Sequence, residues 1–138
     1  METKVVSSFS FVAESEYAVY FKHTEKNIAM VKFKEDKIIN LERAKKIVEQ
    51  MESIMDTRTN CYSVVEAKIG SGISNRARAY FAAADQFKTY KKGIAVVIKE
   101  LPQRIIFNFY IKFNKPYVQH KSFDSIDKAL SWLISIGA

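Results

Sequence analysis

Along this chain, stretches that alternate apolar and polar residues give way in turn to stretches with an apolar residue every three or four positions. The first period is that of a half-buried strand, the second that of a helix with one apolar face. Tyr17–Thr24 sets Tyr17, Val19 and Phe21 against Ala18, Tyr20 and Lys22, and Ile28–Glu35 sets Ala29, Val31 and Phe33 against Met30, Lys32 and Lys34. The polar link Thr24-Glu25-Lys26-Asn27 between them predicts an antiparallel hairpin. Upstream, Ser8-Phe9-Ser10-Phe11 also alternates, so residues 1–13 read either as a frayed start or as an extra strand.

The period then lengthens. Leu41, Ala44, Val48, Met51 and Met55, widened by Ile47 and Ile54, predict a helix with Asn40 as its N-cap and Glu42 at its positive end. Thr57-Arg58-Thr59-Asn60 breaks it, Cys61–Ile69 alternates as a strand, and Gly70-Ser71-Gly72 ends that strand. Ser74 stands where a second helix needs a cap, ahead of Ala77, Tyr80, Phe81 and Ala84. Lys91-Lys92-Gly93 turns into the apolar strand Ile94–Lys99, which suits a central position. Pro102 fits the first turn of a third helix reaching about Phe113, and Asn114-Lys115-Pro116 stops it. Tyr117–Phe123 reads as a polar edge strand. Asp124 or Ser122 would cap a last helix lined by Ile126, Ala129, Leu130, Leu133 and Ile134, with Gly137 suited to its end.

The resulting order is β-β-α-β-α-β-α-β-α. It predicts an α/β fold: a five-stranded, mostly parallel sheet with an N-terminal antiparallel hairpin and right-handed crossovers. No repeat or linker divides the chain, so residues 1–138 are expected to form a single domain. Lys22, Lys32, Lys34, Glu66 and Lys68 give the early strands one polar face. Helices mainly on one face of the sheet account for that, with the other face partly open or covered by the N-terminal segment.

This order resembles the STAS domain, named for sulfate transporters and anti-sigma-factor antagonists, over about residues 14–136. It is more specifically similar to an uncharacterised bacterial branch of that fold. The resemblance rests on Ile73-Ser74-Asn75-Arg76-Ala77-Arg78-Ala79-Tyr80-Phe81-Ala82, on the segment Arg104 through Pro116, and on the ending Ser122-Phe123-Asp124 through Ala129-Leu130-Ser131-Trp132-Leu133. It implies strands wound consecutively, helices over one side, and regulation by protein contact. In the antagonists a serine opening the second helix is phosphorylated, which releases a kinase-like partner, and Ser74 is the matching residue. The antagonists carry an Asp-Ser-Ser-Gly type sequence there. This chain has Ile73-Ser74-Asn75-Arg76, so a phosphoswitch would rest on the serine alone.

Composition narrows the functional classes. The 138 residues are 48% hydrophobic and 27% charged, an ordinary globular balance for one core. The single cysteine, Cys61, excludes an internal disulfide. No signal-peptide pattern opens the chain and no apolar run approaches the ~18 residues of a membrane span, so a cytoplasmic location is expected. A net charge of +7 allows an acidic partner, but the 22 Lys and Arg are dispersed rather than massed.

Candidate chemistry is sparse. His23 and His120, with one cysteine and no clustered carboxylates, give no metal-ligand spacing. Gly70-Ser71-Gly72 lacks the lysine and spacing of a phosphate loop. No acid/base pair is evident, so no catalytic residue and no cofactor is assigned. Tyr20 and Tyr62 among lysines suggest a base-stacking platform, but without the motifs of an RNA-binding sheet nucleic acid is disfavoured.

Two features could make contacts. Ser74 is a cap and a phosphoacceptor candidate, with Arg76 and Arg78 placed to pair with a phosphate. On the third helix Ile105, Ile106, Phe109, Tyr110 and Phe113 form an arc expected to face the sheet. That leaves Phe107 and Ile111 as an outward pair beside a basic rim of Arg76, Arg78, Lys88, Lys91 and Lys92. The expectation is a non-enzymatic regulatory or protein-binding module, with a protein partner or self-association at that surface. The alternative is binding of a small apolar or lipid-like ligand beside the third helix.

Overall fold

A computed structural model describes residues 8–68, 72–85, 88–114 and 116–138, without the side chains of residues 85, 110, 113 and 114. The strands are β1 (Phe9–Glu14), β2 (Ala18–His23), β3 (Ile28–Phe33), β4 (Ile38–Ile39), β5 (Cys61–Glu66), β6 (Gly72–Ile73), β7 (Lys91–Val97) and β8 (His120–Phe123). The helices are α1 (Leu41–Ile54), α2 (Asn75–Asp85), α3 (Leu101–Asn114) and α4 (Ile126–Ser135). The main sheet has six strands in the order β1-β2-β3-β5-β7-β8. β1, β2 and β3 pair antiparallel, and β3, β5, β7 and β8 run parallel. A separate two-stranded pair joins β4 to β6.

The five-stranded expectation thus gains an edge strand, because the alternation of Phe9 and Phe11 is used in pairing against His23 and Phe21. Ile69, Gly70 and Ser71, which sequence patterning assigns to a strand end and its turn, lie outside the described residues, as do residues 1–7. The last strand is shorter than expected. The last helix is capped by Ser125, whose side chain accepts from the Lys128 N–H, rather than by Asp124 or Ser122. Asn40 caps α1 as its sequence position predicts, accepting from the Arg43 N–H at 2.9 Å.

Pairing register distributes the side chains. Lys22 stands opposite Ala29, so the even-numbered residues of β2 share a face with the odd-numbered residues of β3. Lys22 and Lys32 therefore lie on opposite faces, and the single polar face read from their shared parity does not form. One face buries Ala18, Tyr20, Ala29, Val31, Phe33 and Cys61 under Ala44, Ile47 and Met51 of α1 and Ala77 of α2. The other buries Ile28, Met30, Tyr62, Val64, Ala95 and Val97 under Ala129, Leu130 and Leu133 of α4. Tyr20 and Tyr62 are buried in different clusters, so the base-stacking platform does not exist.

Right-handed crossovers between strands added in one direction place their helices on one side. α3 obeys this. Ser122 of β8 points to the face of α1 and α2, and its hydroxyl donates to Asn108 Oδ1 of α3 at 2.7 Å. Three crossover helices therefore share a face. The opposite face is covered by the C-terminal helix; the described part of the N-terminal segment extends the sheet as β1, with Phe9 buried in that face's cluster.

Candidate functional site

The arrangement of α3 decides which surface this domain offers. Arg104, Phe107, Asn108 and Ile111 recur at i, i+3, i+4 and i+7, one stripe of a helix. Arg104 Nη1 donates to the carbonyls of Ile98 and Lys99, each at 3.0 Å, which moors the start of α3 to the end of β7. Asn108 meets Ser122 on β8, and Phe107 and Ile111 are half-buried beside them. Arg104, Phe107 and Ile111 thus turn inward, and Asn108, itself exposed, ties the edge of this stripe to β8.

The consequence reverses the orientation expected from apolar periodicity. Ile105, Ile106 and Phe109, the arc expected to face the sheet, are 60%, 69% and 65% exposed, and Leu101 is 58% exposed. Phe107 and Ile111, expected outside, lie inward; the side chains of Tyr110 and Phe113 are outside the description. Hydrophobic counting missed the orientation because the inward stripe contains an arginine and an asparagine. β8 is also only four residues long and at the sheet edge, so α3 has little apolar surface to lie on.

Large side chains present roughly 150–250 Å² each. At these exposures the four residues leave on the order of 400 Å² of apolar surface in one helical stripe, the size of the largest patch on an ordinary monomer. Exposed Lys112 continues the same helical face. A shallow cleft of about 360 Å³ lies at the far end of α3, lined by Ile111, Pro116, Val118, Gln119, His120, Lys121 and Trp132. Its size is at the lower end of ligand sites, and three of its seven lining residues are polar or charged where an apolar ligand needs mostly apolar walls.

Ser74 occupies the start of α2 in a capping role. Its Oγ accepts from the Ala77 N–H at 3.2 Å, its carbonyl accepts from the Arg78 N–H at 2.9 Å, and its own N–H donates to Ile39 at 3.0 Å, extending the β4–β6 pair. Ser74 is half-buried, while Arg76 and Arg78 are exposed. α2, which Ser74 caps and which carries Arg76 and Arg78, packs on α1. The expected basic rim is partly consumed elsewhere. Lys88 pairs with Glu52 of α1, Lys91 lies 3.7 Å from the same carboxylate, and the Tyr90 hydroxyl donates to it at 3.1 Å. Burial works to raise the pKa of Glu52, but the Lys88 hydrogen bond and charge, with Lys91 and Tyr90, outweigh it and hold the carboxyl below its ordinary value.

Other titratable groups are used structurally. Cys61 is buried, and burial pushes its thiol pKa up, against the Asn27 hydrogen bond, which makes it a poor nucleophile. His23 Nδ1 accepts from the backbone N–H groups of Glu25 and Lys26 at 3.1 and 3.0 Å, fastening the β2–β3 turn. Glu66 is 2% exposed, and its Oε1 lies 3.3 Å from Lys68 Nζ, within charge attraction but without a hydrogen bond. No group of three or more metal-ligating side chains occurs among the described residues. No helix among them is long and apolar enough to cross a membrane.

Consecutive parallel strands behind an antiparallel hairpin, with the crossover helices on one face, define the SpoIIAA-like, or STAS-like, class of α/β domain. A crystal structure of an uncharacterised DUF3478-family protein with a SpoIIAA-like fold, from Shewanella loihica PV-4, superposes on this chain with a TM-score of 0.57. The match covers 91% of each chain at 14% identity and speaks for the fold alone. The chain belongs to the family described as a domain of unknown function, DUF7793, which spans residues 22–136. No curated protein matches it.

Proposed function

We propose that this domain is a non-enzymatic regulatory module that works by binding a protein, and that its contact surface is the outer face of α3. The observation that carries this reading is the exposure of Leu101, Ile105, Ile106 and Phe109 in one stripe on a helix moored from its opposite side. A solvent-facing stripe of this kind costs solubility and contributes nothing to the fold's own core, which is the usual mark of an interaction surface. The SpoIIAA-like fold supports a non-catalytic role. Helix-in-groove recognition, with anchors at i, i+4 and i+8, suits the stripe.

Affinity purification with the wild type and with Ile106→Asp tests the proposal. A partner recovered by the wild type, lost with Ile106→Asp and retained by Ser74→Ala supports it. Equal recovery by Ile106→Asp moves the contact away from α3. Loss with Ser74→Ala or Ser74→Asp alone would place it at the start of α2 with Arg76 and Arg78.

A further inference from the structure

We infer that the β8 edge of the sheet takes an extended segment of a partner protein as an added strand, and that this segment is acidic where it meets Lys121. The surface is separate from the outer face of α3 and does not depend on it. β8 ends the main sheet, so among the described residues it has a strand beside it, β7, on one side only. The Gln119 and Phe123 carbonyls accept from the Ile94 and Ile98 N–H groups, each at 2.8 Å. Backbone direction alternates along a strand, so the N–H and carbonyl of Ser122 point the other way, away from β7. Those are the groups that an incoming strand would bond.

The cleft of about 360 Å³ gives such a strand room. Ile111 of α3 and Trp132 of α4 both line it, although their helices cover opposite faces of the sheet. A hollow that touches both wraps around the edge, with Val118 to Lys121 between them. A short edge strand bearing a lysine is one way that proteins discourage pairing. Here the flanking helices leave a recess at that strand, which admits a segment of one shape. The other edge, β1, is interrupted by a register shift between Phe11 and Ala13.

Charge and register select the occupant. Lys121 is exposed, lines the cleft and pairs with Ala95, which puts it on the α4 face. From Leu101 to Ser122 the sequence contains no Asp or Glu, and Asp124 beyond them is held by Lys128 at 3.0 Å. An added strand alternates its side chains, so it would set a carboxylate toward Lys121 and an apolar residue toward Ile111. A second copy fits worse. Each chain carries a net charge of +7, and the antiparallel self-pairing that uses both outward-pointing residues, His120 and Ser122, sets Lys121 opposite Lys121.

Trp132 is the chain's single tryptophan, so its fluorescence reads the cleft directly. The probes are the end-blocked peptides Val-Glu-Val-Glu-Val and Val-Gln-Val-Gln-Val. The Glu peptide should change the Trp132 emission and the amide signals of 118–123. It should bind about threefold more tightly than the Gln peptide at low salt, the worth of one exposed ion pair, and Lys121→Glu should reverse that order. Ser122→Pro removes the N–H that points away from β7 and should weaken both peptides about tenfold. Ser122→Ala keeps that N–H while losing the hydroxyl bonded to Asn108, and should bind like the wild type. So should Ile106→Asp.

Equal binding of the two peptides, both weakened by Ser122→Pro, would overturn the acidic segment. Binding unchanged by Ser122→Pro, or no response to either peptide, would overturn strand addition itself. The Glu peptide N-methylated at every residue keeps its side chains and loses its donors; binding equal to its parent would overturn strand addition whatever Ser122→Pro does to folding. Loss with Ile106→Asp would move the peptides to the outer face of α3 and sink the β8 site while sparing that face. A wild-type dimer in equilibrium sedimentation that Ser122→Pro dissolves would replace the partner with a second copy.

Discussion

α1 and α3 are helices of equal length, fourteen residues each, on the same side of one sheet, and they treat their apolar residues in opposite ways. α1 buries Ala44, Ile47 and Met51 against β2, β3 and β5 and shows solvent Glu42, Lys45, Lys46 and Glu49. α3 turns Arg104, Phe107, Asn108 and Ile111 to the domain and leaves Leu101, Ile105, Ile106 and Phe109 outside. A buried apolar stripe explains a helix by the fold, whereas an exposed one needs a second explanation.

The largest effect expected from breaking this contrast falls on α1. Ile47 is 4% exposed in the cluster formed with Ala29, Val31 and Met51. Ile47→Ala should lower unfolding free energy by about 2–5 kcal/mol, through lost transfer energy and the cavity left behind. Chemical denaturation of the two proteins measures it. A loss below about 1 kcal/mol would mean that α1 is not the packed helix of the pair.

Acid should loosen the domain in two steps, one on each side of the sheet: His23 packs on Phe9 at the α4 face, and Glu52 sits on α1. His23 has a pKa lowered from its ordinary 6.5, first by burial and then by Lys22 and Lys26 against Glu25. A base whose folded pKa is depressed is protonated more readily when unfolded, so stability falls as pH drops below 6.5. Glu52 is an acid held below 4.5, so its contribution is complete above 4.5 and is lost as pH falls through the folded value. Glu52→Gln should flatten the lower step and His23→Gln the upper one. The lower step, from charged hydrogen bonds that pin Lys88 to α1, is expected to be about 1–2 kcal/mol. Denaturation midpoints followed across the acid range for the three proteins would reject the assignment if the steps stayed where they are in the variants.

How far the sequence carried depends on what holds each region. α1 was legible because a single interaction, apolar burial, sets both its period and its orientation, and its cap at Asn40 is a local hydrogen bond. That β3, β5, β7 and β8 run parallel was legible from the alternation of strand and helix, and their consecutive order was implied by the resemblance to the STAS domain. The face on which each lysine lies was not, because parity passes between strands only through register, as Lys22 opposite Ala29 shows. Nor was the outer face of α3, since Arg104 bonding the Ile98 carbonyl and Asn108 bonding Ser122 are tertiary choices that apolar counting ignores. The separate coverage of the second face by Leu130 and Leu133 was likewise hidden, because α4 follows the last strand and no crossover rule fixes its side.

Asn40→Ala sharpens the comparison at an intermediate scale. The Asn40 side chain accepts from Arg43 at 2.9 Å, and Arg43 Nη1 in turn donates to the Ile38 carbonyl at 2.9 Å. Removing the cap should cost about 1 kcal/mol, less than Ile47→Ala because it frays one end of α1 without opening the core. Hydrogen exchange should accelerate in the first turn of α1 and leave Met51 and Met55 protected. Acceleration throughout the helix would show that α1 depends on its cap more than on its packing.

The smallest effect is the one that separates the two helices. Ile106, at 69% exposure, should tolerate Ala within about ±0.5 kcal/mol, since a side chain already in water loses no burial when it is shortened. Ile47 and Ile106 are the same residue type on two helices on the same side of the sheet, so the difference between their alanine variants isolates environment from chemistry. If Ile106→Ala costs as much as Ile47→Ala in dilute solution, the outer face of α3 is already covered in the isolated protein, and no partner is required to explain it. If it costs nothing while Ile106→Asp removes binding, the residue contributes to recognition without contributing to the fold.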